Sequence, residues 1–435
     1  MTELNYSGRR QRAARLLGED AALIIAAAPE IVIGDAELRY VVDPDLYWLT
    51  GYAEPEAVLV LCPRLEDTPF TMFVRPRDPG REVWSGARAG TEGAIERYGA
   101  NAAHPIGDMA ENLPGLLDGV ATVYARVGAG RRGLDETIGR ILARGRRLRQ
   151  RKGHGPRALV DPGVILDDLR LIKDADELAI MRTAADISVE VFREASAVIG
   201  AGTGEWQVEA TIDGGLRVRG ASGPAFPTIV ASGPNAIVLH HNANDRTMES
   251  DDLVLLDAGA RHAMYCADIT RTFPVAGRFG GARKALYETV LRAHDAAIAT
   301  ARPGATIEDV HEAARDALLA GAVDCGLLKG PLARLREEEG EYSRLYPHRT
   351  SHWLGLDVHD VGDYVREGRA RVLEPGMVFT VEPGLYVPVD WTDGPAELRG
   401  TGIRIEDDVL ITPDGCEVLT GSLPADVDGI EALLD

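Results

Sequence analysis

A chain of 435 residues is longer than one ordinary core supports, so two domains are expected, one of them large. With 45% hydrophobic and 26% charged residues, the composition is that of a globular protein and excludes a disordered or fibrous one. The formal net charge of −21 would repel a phosphate backbone, which argues against nucleic acid as a partner, and nothing suggests a membrane.

Residues from about 8 to 18 carry a helical pattern, and Ala22 to Ala28, Ala57 to Leu61 and Phe70 to Val74 read as buried strands. The first apolar run reads better as a buried strand than as a signal-peptide core, because Glu19 and Asp20 stand directly before it and no convincing small-residue cleavage site follows. Arg9 and Arg10 lack the long apolar segment that twin-arginine export needs. Helical segments follow Thr91 and Asp135, which makes this part an α/β domain. The basic stretch from Arg140 to Lys152 reads as a solvated helix face with a loop after it, and Gly153-His154-Gly155-Pro156 breaks the pattern. Leu169-Arg170-Leu171-Ile172-Lys173-Asp174 then leads into a long helix through Ala195. The boundary is placed near residue 172, with an N-terminal α/β domain over 1–172 and a second domain over 173–435. Cys62, Cys266, Cys325 and Cys416 lie far apart with no C-x-x-C spacing, so a reducing compartment, the cytoplasm, is expected.

The second domain contains an internal repeat, which implies a pseudo-symmetric fold with a site between its halves. Gly202-Thr203-Gly204-Glu205-Trp206-Gln207-Val208 recurs in outline as Gly304-Ala305-Thr306-Ile307-Glu308-Asp309-Val310. Each copy opens an amphipathic helix expected to end near a glycine, Gly220 in one half and Gly321 in the other. Each helix is followed by a strand that ends in an acid and a glycine, around Asp257 and Gly259 in the first half and Glu382 and Gly384 in the second. A further strand then supplies another acid, Asp268 or Glu406.

A carboxylate at the end of an apolar run is costly to bury without a compensating charge or hydrogen bonds. Each acid alone reads as a strand end bonded to backbone amides. Four acids in symmetric positions, with a histidine-rich segment between, read instead as metal ligands. That segment, residues 348–362, carries His348, His352 and His359 in a stretch otherwise built for a strand and turns. Three histidines together suggest one ligand and two groups that handle substrate or developing charge. Oxygen ligands with a single imidazole suit Mn²⁺, with Co²⁺, Zn²⁺ or iron also able to occupy such a site. Two ions about 3.5 to 4 Å apart acidify a shared water and polarise a carbonyl, which makes hydrolysis the expected reaction.

With these residues in view, the chain resembles the metallopeptidases of pita-bread fold, and among them the aminopeptidase P family of Xaa-Pro aminopeptidases. The resemblance runs from Tyr47-Trp48-Leu49-Thr50-Gly51-Tyr52 and Trp84-Ser85-Gly86-Ala87-Arg88 through Arg170-Leu171-Ile172-Lys173 to five motifs in order. These are Leu256-Asp257-Ala258-Gly259, Ala267-Asp268-Ile269-Thr270-Arg271, Ser351-His352-Trp353-Leu354-Gly355, Val381-Glu382-Pro383-Gly384 and Ile403-Arg404-Ile405-Glu406-Asp407. It implies an α+β fold, with a pita-bread catalytic domain behind a smaller α/β domain. It further implies that Asp257 binds one of two divalent ions through both oxygens, that Asp268 and Glu406 bridge the ions, and that His352 and Glu382 complete the other shell. His240, His348 and His359 would line the substrate site, with His241 as the alternative to its neighbour His240. Arg404 would pair with Asp257, with Tyr386 close by. Glu382 would carry the proton and His359 would steady the oxyanion as the bond before proline is cut.

The resemblance further implies peptides with proline second as substrates and a homodimer or homotetramer. It departs from the family at Val41, which stands where an arginine is often placed four residues before Asp45, read here as a strand acid. Trp84 matches a tryptophan that closes another subunit's site in relatives, and reads equally as a core or interface aromatic. Prolidase, which shares the ligands but takes only dipeptides, is the nearest alternative, and Trp353 after the ligand histidine favours aminopeptidase P. Methionine aminopeptidase fits less well, given the full N-terminal domain. A non-catalytic pita-bread binding protein would be expected to have lost ligands that this chain keeps.

Overall fold

The six residues Ala21–Ala26 contain no polar side chain and form a strand, β1, that is buried throughout. Its backbone donors and acceptors, buried on both edges, need sheet neighbours on each side. On one side β1 pairs antiparallel with β2 (Val58–Leu61), Leu23 facing Leu61. The next strand outward is β3 (Phe70–Val74), antiparallel to β2, and then β4 (Ala102–Pro105), parallel to β3. On the other side β5 (Thr122–Ala125) and β6 (Ala158–Val160) follow in parallel, giving the order β4-β3-β2-β1-β5-β6. The computed structural model describes residues 4–34, 36–128, 132–337 and 340–435. It divides into two compact units, one ending at Arg170 and the other beginning at Leu171.

Within the first unit, helix α1 (Tyr6–Leu17) buries Arg9 and Arg10, and Arg10 donates to the Leu49 carbonyl at 2.8 Å. Asp45, expected on a strand, lies instead in helix α2 (Pro44–Thr50). The reason is local: Pro44 presets the first helical residue, and the Asp43 carboxylate caps the Leu46 amide at 3.0 Å. The Asp45 carboxylate is fully buried and paired with Arg170 and Arg126, each at 2.7 Å, whereas Val41 is exposed. The basic stretch forms the second half of helix α3 (Arg132–Lys152), with Arg140, Arg144, Arg146 and Arg147 in solvent and Ile138 and Ile141 turned inward. Trp84 is 90% exposed, so it is not a core aromatic of this chain.

The second unit opens with helix α4 (Ala175–Ser196), started by a reciprocal capping box between Asp174 and Glu177. The repeat helices are α5 (Glu205–Val218) and α7 (Ile307–Asp324), with α6 (Gly281–Thr300) between them in sequence. In the first copy Gly220 stands just past the helix in the left-handed region, φ +86°. In the second the helix runs through Gly321 to Asp324. Gly321 is a packing position and not a terminator, because a Cβ there would come within 2.0 Å of the Thr289 methyl on α6.

Strands β7 (Ile229–Ser232), β8 (Leu253–Ala258) and β9 (Ile269–Pro274) form one antiparallel sheet with β8 in the centre. In the other half, β10 (Val378–Val381), β13 (Asp407–Thr412) and β14 (Gly415–Val418) form a second sheet. A separate antiparallel pair is made by β11 (Gly384–Val387) and β12 (Thr401–Arg404). The halves meet at a bridge between Thr270 and Glu406, where the Glu406 amide donates to the Thr270 carbonyl at 3.0 Å.

No strand forms over residues 348–362; the segment touches the second sheet through a single bridge, Trp353 to Phe379. The Thr380 and Glu382 amides do donate to the His352 and Thr350 carbonyls, at 3.0 and 2.8 Å. The reciprocal donors are diverted to side chains, the Thr350 amide to His311 Nδ1 at 3.3 Å and the His352 amide to Thr380 Oγ1 at 3.1 Å. One reciprocal bond remains, from the Leu354 amide to the Val378 carbonyl at 3.0 Å, so the pairing is confined to the bridge and the segment around it projects its histidines.

Candidate metal centre

Asp257 sits near the end of β8, opposite Thr270 of β9, and Asp268 immediately precedes β9. The turn between them is closed by Gly259, where a Cβ would lie 1.7 Å from the Ala267 carbonyl oxygen. Backbone on both sides leaves no room to relax. Gly259→Ala is therefore expected to cost about 3 kcal/mol of unfolding free energy, against a near-neutral Gly415→Ala, whose Cβ would meet nothing. Equal denaturation midpoints for the two variants would contradict this close approach.

The second half repeats the plan, with Glu382 directly after β10 and Glu406 directly before β13. His352 arrives on the projecting segment. Its Nε2 is 3.5 Å from Asp268 Oδ2 and 3.7 Å from Glu382 Oε1. Ligand atoms of Asp268, His352 and Glu406 all lie within 4.8 Å of one another. Asp257 and Glu382 flank that group, and all five open onto one cavity of about 1140 Å³. His240, His348, His359 and Arg404 line the same cavity.

These carboxylates are held in an unfavourable state. Burial, followed by the charge of Asp257, pushes the Asp268 carboxyl well above its ordinary value; burial, followed by the charge of Asp268, does the same to Glu406. Glu382 is raised by burial, against the opposing pull of His352 and Arg404. Asp257 Oδ1 is buried with no hydrogen-bond partner. Buried like charges and an orphaned oxygen, set around one imidazole, are what a divalent cation would satisfy. The residues present fit the metal pair that the sequence implies.

A polar chain orders the rim of this centre. The Arg404 guanidinium pairs with Asp257 Oδ2, and its Nε donates to Thr270 Oγ1 at 3.1 Å, while the Thr270 hydroxyl donates to Glu406 Oε2 at 2.6 Å. Arg404 Nη1 also donates to the Tyr386 hydroxyl oxygen at 2.9 Å, which leaves the Tyr386 proton for His348 Nε2 at 2.8 Å. His348 Nδ1 then donates to the Arg349 carbonyl at 2.8 Å. This assignment makes His348 a neutral ring, in keeping with burial and the Arg404 charge, which lower its pKa to about 3. The His359 ring lies 4.2 Å from that of His352 and is lowered by burial and by that neighbour. Asp360, next in the chain, makes a buried pair with Lys173 at 3.1 Å. His240 faces the cavity, whereas His241 Nε2 lies 3.1 Å from Glu205 Oε2. Phe226, Pro227, Ile229, Leu239 and Val358 supply an apolar wall.

Two residues around this cavity were not singled out from the sequence. Tyr364 stacks on Trp353 at 5.3 Å and accepts from its amide at 3.1 Å, and nothing in the local pattern signals it. Glu205 was legible only as the start of a repeat helix. Together with His241 and Asp245 it groups three potential metal-binding atoms, yet its carboxylate oxygens are already occupied by protein donors.

Comparison with known proteins gives two family matches: metallopeptidase family M24 over residues 179–413, and the aminopeptidase P N-terminal domain over residues 6–124. The Xaa-Pro aminopeptidase of Escherichia coli K12 is 37% identical over 432 residues, covering 99% of this chain and 97% of the relative. The structure of Pseudomonas aeruginosa aminopeptidase PepP is 43% identical, with a TM-score of 0.94 over 100% of this chain and 99% of that one. Zinc-substituted E. coli aminopeptidase P in complex with product is 37% identical, with a TM-score of 0.93 over 99% and 97% of the two chains.

Proposed function

Since this chain belongs to metallopeptidase family M24 and carries the aminopeptidase P N-terminal domain, we propose that it is a dinuclear-metal Xaa-Pro aminopeptidase, releasing an N-terminal residue from peptides with proline second. The observation that carries this reading is the convergence of Asp257, Asp268, His352, Glu382 and Glu406 on one cavity, within a fold matched over its whole length by such enzymes. The same full-length matches favour it over a dipeptidase. The N-terminal domain is assigned to residues 1–172 and the catalytic pita-bread domain to 173–435.

Asp257, Asp268, His352, Glu382 and Glu406 would hold the two ions. Bound there, two divalent cations supply a Lewis acid for the scissile carbonyl and a water acidic enough to ionise near neutral pH. Glu382, at the cavity beside His352, would take a proton from the attacking water and pass it to the leaving nitrogen. His359 and His240 would orient the peptide and donate to the developing oxyanion. His348 and Tyr386 hold Arg404 against Asp257, so that ligand cannot swing. The leaving nitrogen of proline carries no hydrogen, so selection rests on the shape of the apolar wall and not on an amide donor.

Mn²⁺ is the proposed metal, on the strength of the oxygen-rich donor set, with Co²⁺ or Zn²⁺ as substitutes. A cytoplasmic location is supported by four free cysteines, and no helix among the described residues is long and apolar enough to cross a membrane. A homodimer or homotetramer is supported by the exposure of Val83 and Trp84 side by side.

The deciding experiment offers the Mn²⁺-loaded protein both Xaa-Pro dipeptides and longer Xaa-Pro peptides. Cleavage of the longer peptides is expected; turnover confined to dipeptides would establish the dipeptidase instead.

A further inference from the structure

The loop that carries His240 is held by one carboxylate that the chemistry above does not use. Glu205, the first residue of α5, is fully buried. Its Oε1 accepts from the Ser232 amide at 2.7 Å, the Ser232 hydroxyl at 2.8 Å and Asn235 Nδ2 at 3.0 Å. Its Oε2 accepts from Asn235 Nδ2 at 3.2 Å, the Arg246 amide at 3.0 Å and His241 Nε2 at 3.1 Å. The imidazole must be the donor there, because a carboxylate so surrounded can only accept.

These donors mark the two ends and the middle of residues 232–246. Between them lie Leu239, His240 and Asn242, all of which line the cavity. The loop is also seated from outside, since a Cβ on Gly402 would stand 2.0 Å from the Ala236 carbonyl oxygen. Burial alone would raise the Glu205 carboxyl, yet the Ser232 and Arg246 amides and the Asn235 and Ser232 side chains hold it below the ordinary range. It is an ionised group with no free lone pair, so neither metal binding nor proton transfer is open to it.

The repeat sharpens the point. Glu205 in the first copy aligns with Ile307 in the second, and Ile307 lines the cavity directly. The same position at a helix start thus forms the wall in one half and anchors the wall in the other.

We infer that Glu205 is the positioning residue for His240, fixing residues 232–246 so that the imidazole stands at the metal cavity. The catalytic part of this inference rests on the peptidase reading above; the positional part does not.

The test uses the full-length Mn²⁺-loaded protein as wild type, Glu205→Gln, His240→Ala and the double variant. Glutamine keeps the shape but turns an amide donor toward donors. In Glu205→Gln, hydrogen-exchange protection is expected to fall across 232–246 and to persist in β8 and β9, with two ions per chain retained. On an Xaa-Pro tripeptide, kcat/KM is expected to drop about 10- to 100-fold, and to drop no further than His240→Ala when the two changes are combined. Ser232→Ala removes one of the donors to Glu205, along with the acceptor of Arg246 Nη1, and is expected to show the same non-additivity at smaller size, which keeps the test decisive should Glu205→Gln not fold. Unchanged protection of the loop, or losses that multiply in the double variant, would overturn the inference. A wild type inactive on every Xaa-Pro peptide, with the loop still loosened by Glu205→Gln, would overturn the peptidase reading and leave the anchoring role standing.

Discussion

Asp268→Ala or Glu406→Ala is expected to lower kcat/KM on an Xaa-Pro tripeptide by at least about 10³-fold, equivalent to about 4 kcal/mol of transition-state stabilisation. These two acids lie beside the same imidazole, with potential ligand atoms of all three within 4.8 Å of one another, so losing either removes one of the oxygens proposed to hold the metal. The loss should not be a folding defect. Each carboxyl is buried and pushed up by acidic neighbours, so removing one relieves repulsion in the metal-free protein. Thermal unfolding of the metal-free variants is therefore expected at or above the wild-type midpoint. Asp268→Asn keeps the shape and should be nearly as inactive, because a neutral amide does not bridge two cations. A near-normal rate in any of these variants would sink the two-metal assignment.

Exhaustive chelation is the second large effect. It is expected to abolish turnover and to lower the thermal midpoint, since ions bound only by the folded chain add about 4 kcal/mol at a thousand times their dissociation constant. Readdition of Mn²⁺ should restore activity in proportion to occupancy and reach a plateau at two ions per chain. Full activity after chelation, with metal analysis below one ion per chain, would remove the metal-dependent mechanism while leaving a hydrolase. A plateau at one ion would keep the hydrolase and contradict the bridging roles of Asp268 and Glu406.

The four candidate acids were legible because each ends, follows or precedes an apolar strand, where an unpaired carboxylate is out of place, and because the repeat presented them twice. Their partners in space were not legible in the local pattern. The Arg404 pair with Asp257, across 147 residues, entered only through the family resemblance, and the Thr270 hydroxyl on Glu406, across 136, did not enter at all. Asp45 was misread as a strand residue although Asp43 and Pro44 spell a helix start, and its burial depends on Arg170, 125 residues away. Gly321 was read as a helix end because glycine often is one; the approach of Thr289 that explains it comes from another helix. Glu205 stayed hidden for the opposite reason: an acid in the first turn of a helix is ordinary, favoured by the helix dipole, and drew no attention. Residues 348–362 read as a strand with turns, whereas the Thr350 and His352 amides bond to the His311 and Thr380 side chains, contacts that only the tertiary structure supplies.

The bridge between Thr270 and Glu406 bears on how the protein is made as well as on how it works. Each half contributes an incomplete set of ligands, and the sets come together only when chain segments 136 residues apart have docked. Closing so long a loop costs entropy before any contact repays it, and topologies dominated by such contacts assemble slowly. The candidate site is therefore assembled late in folding, once β13 has docked against the earlier half and brought Glu406 beside Thr270.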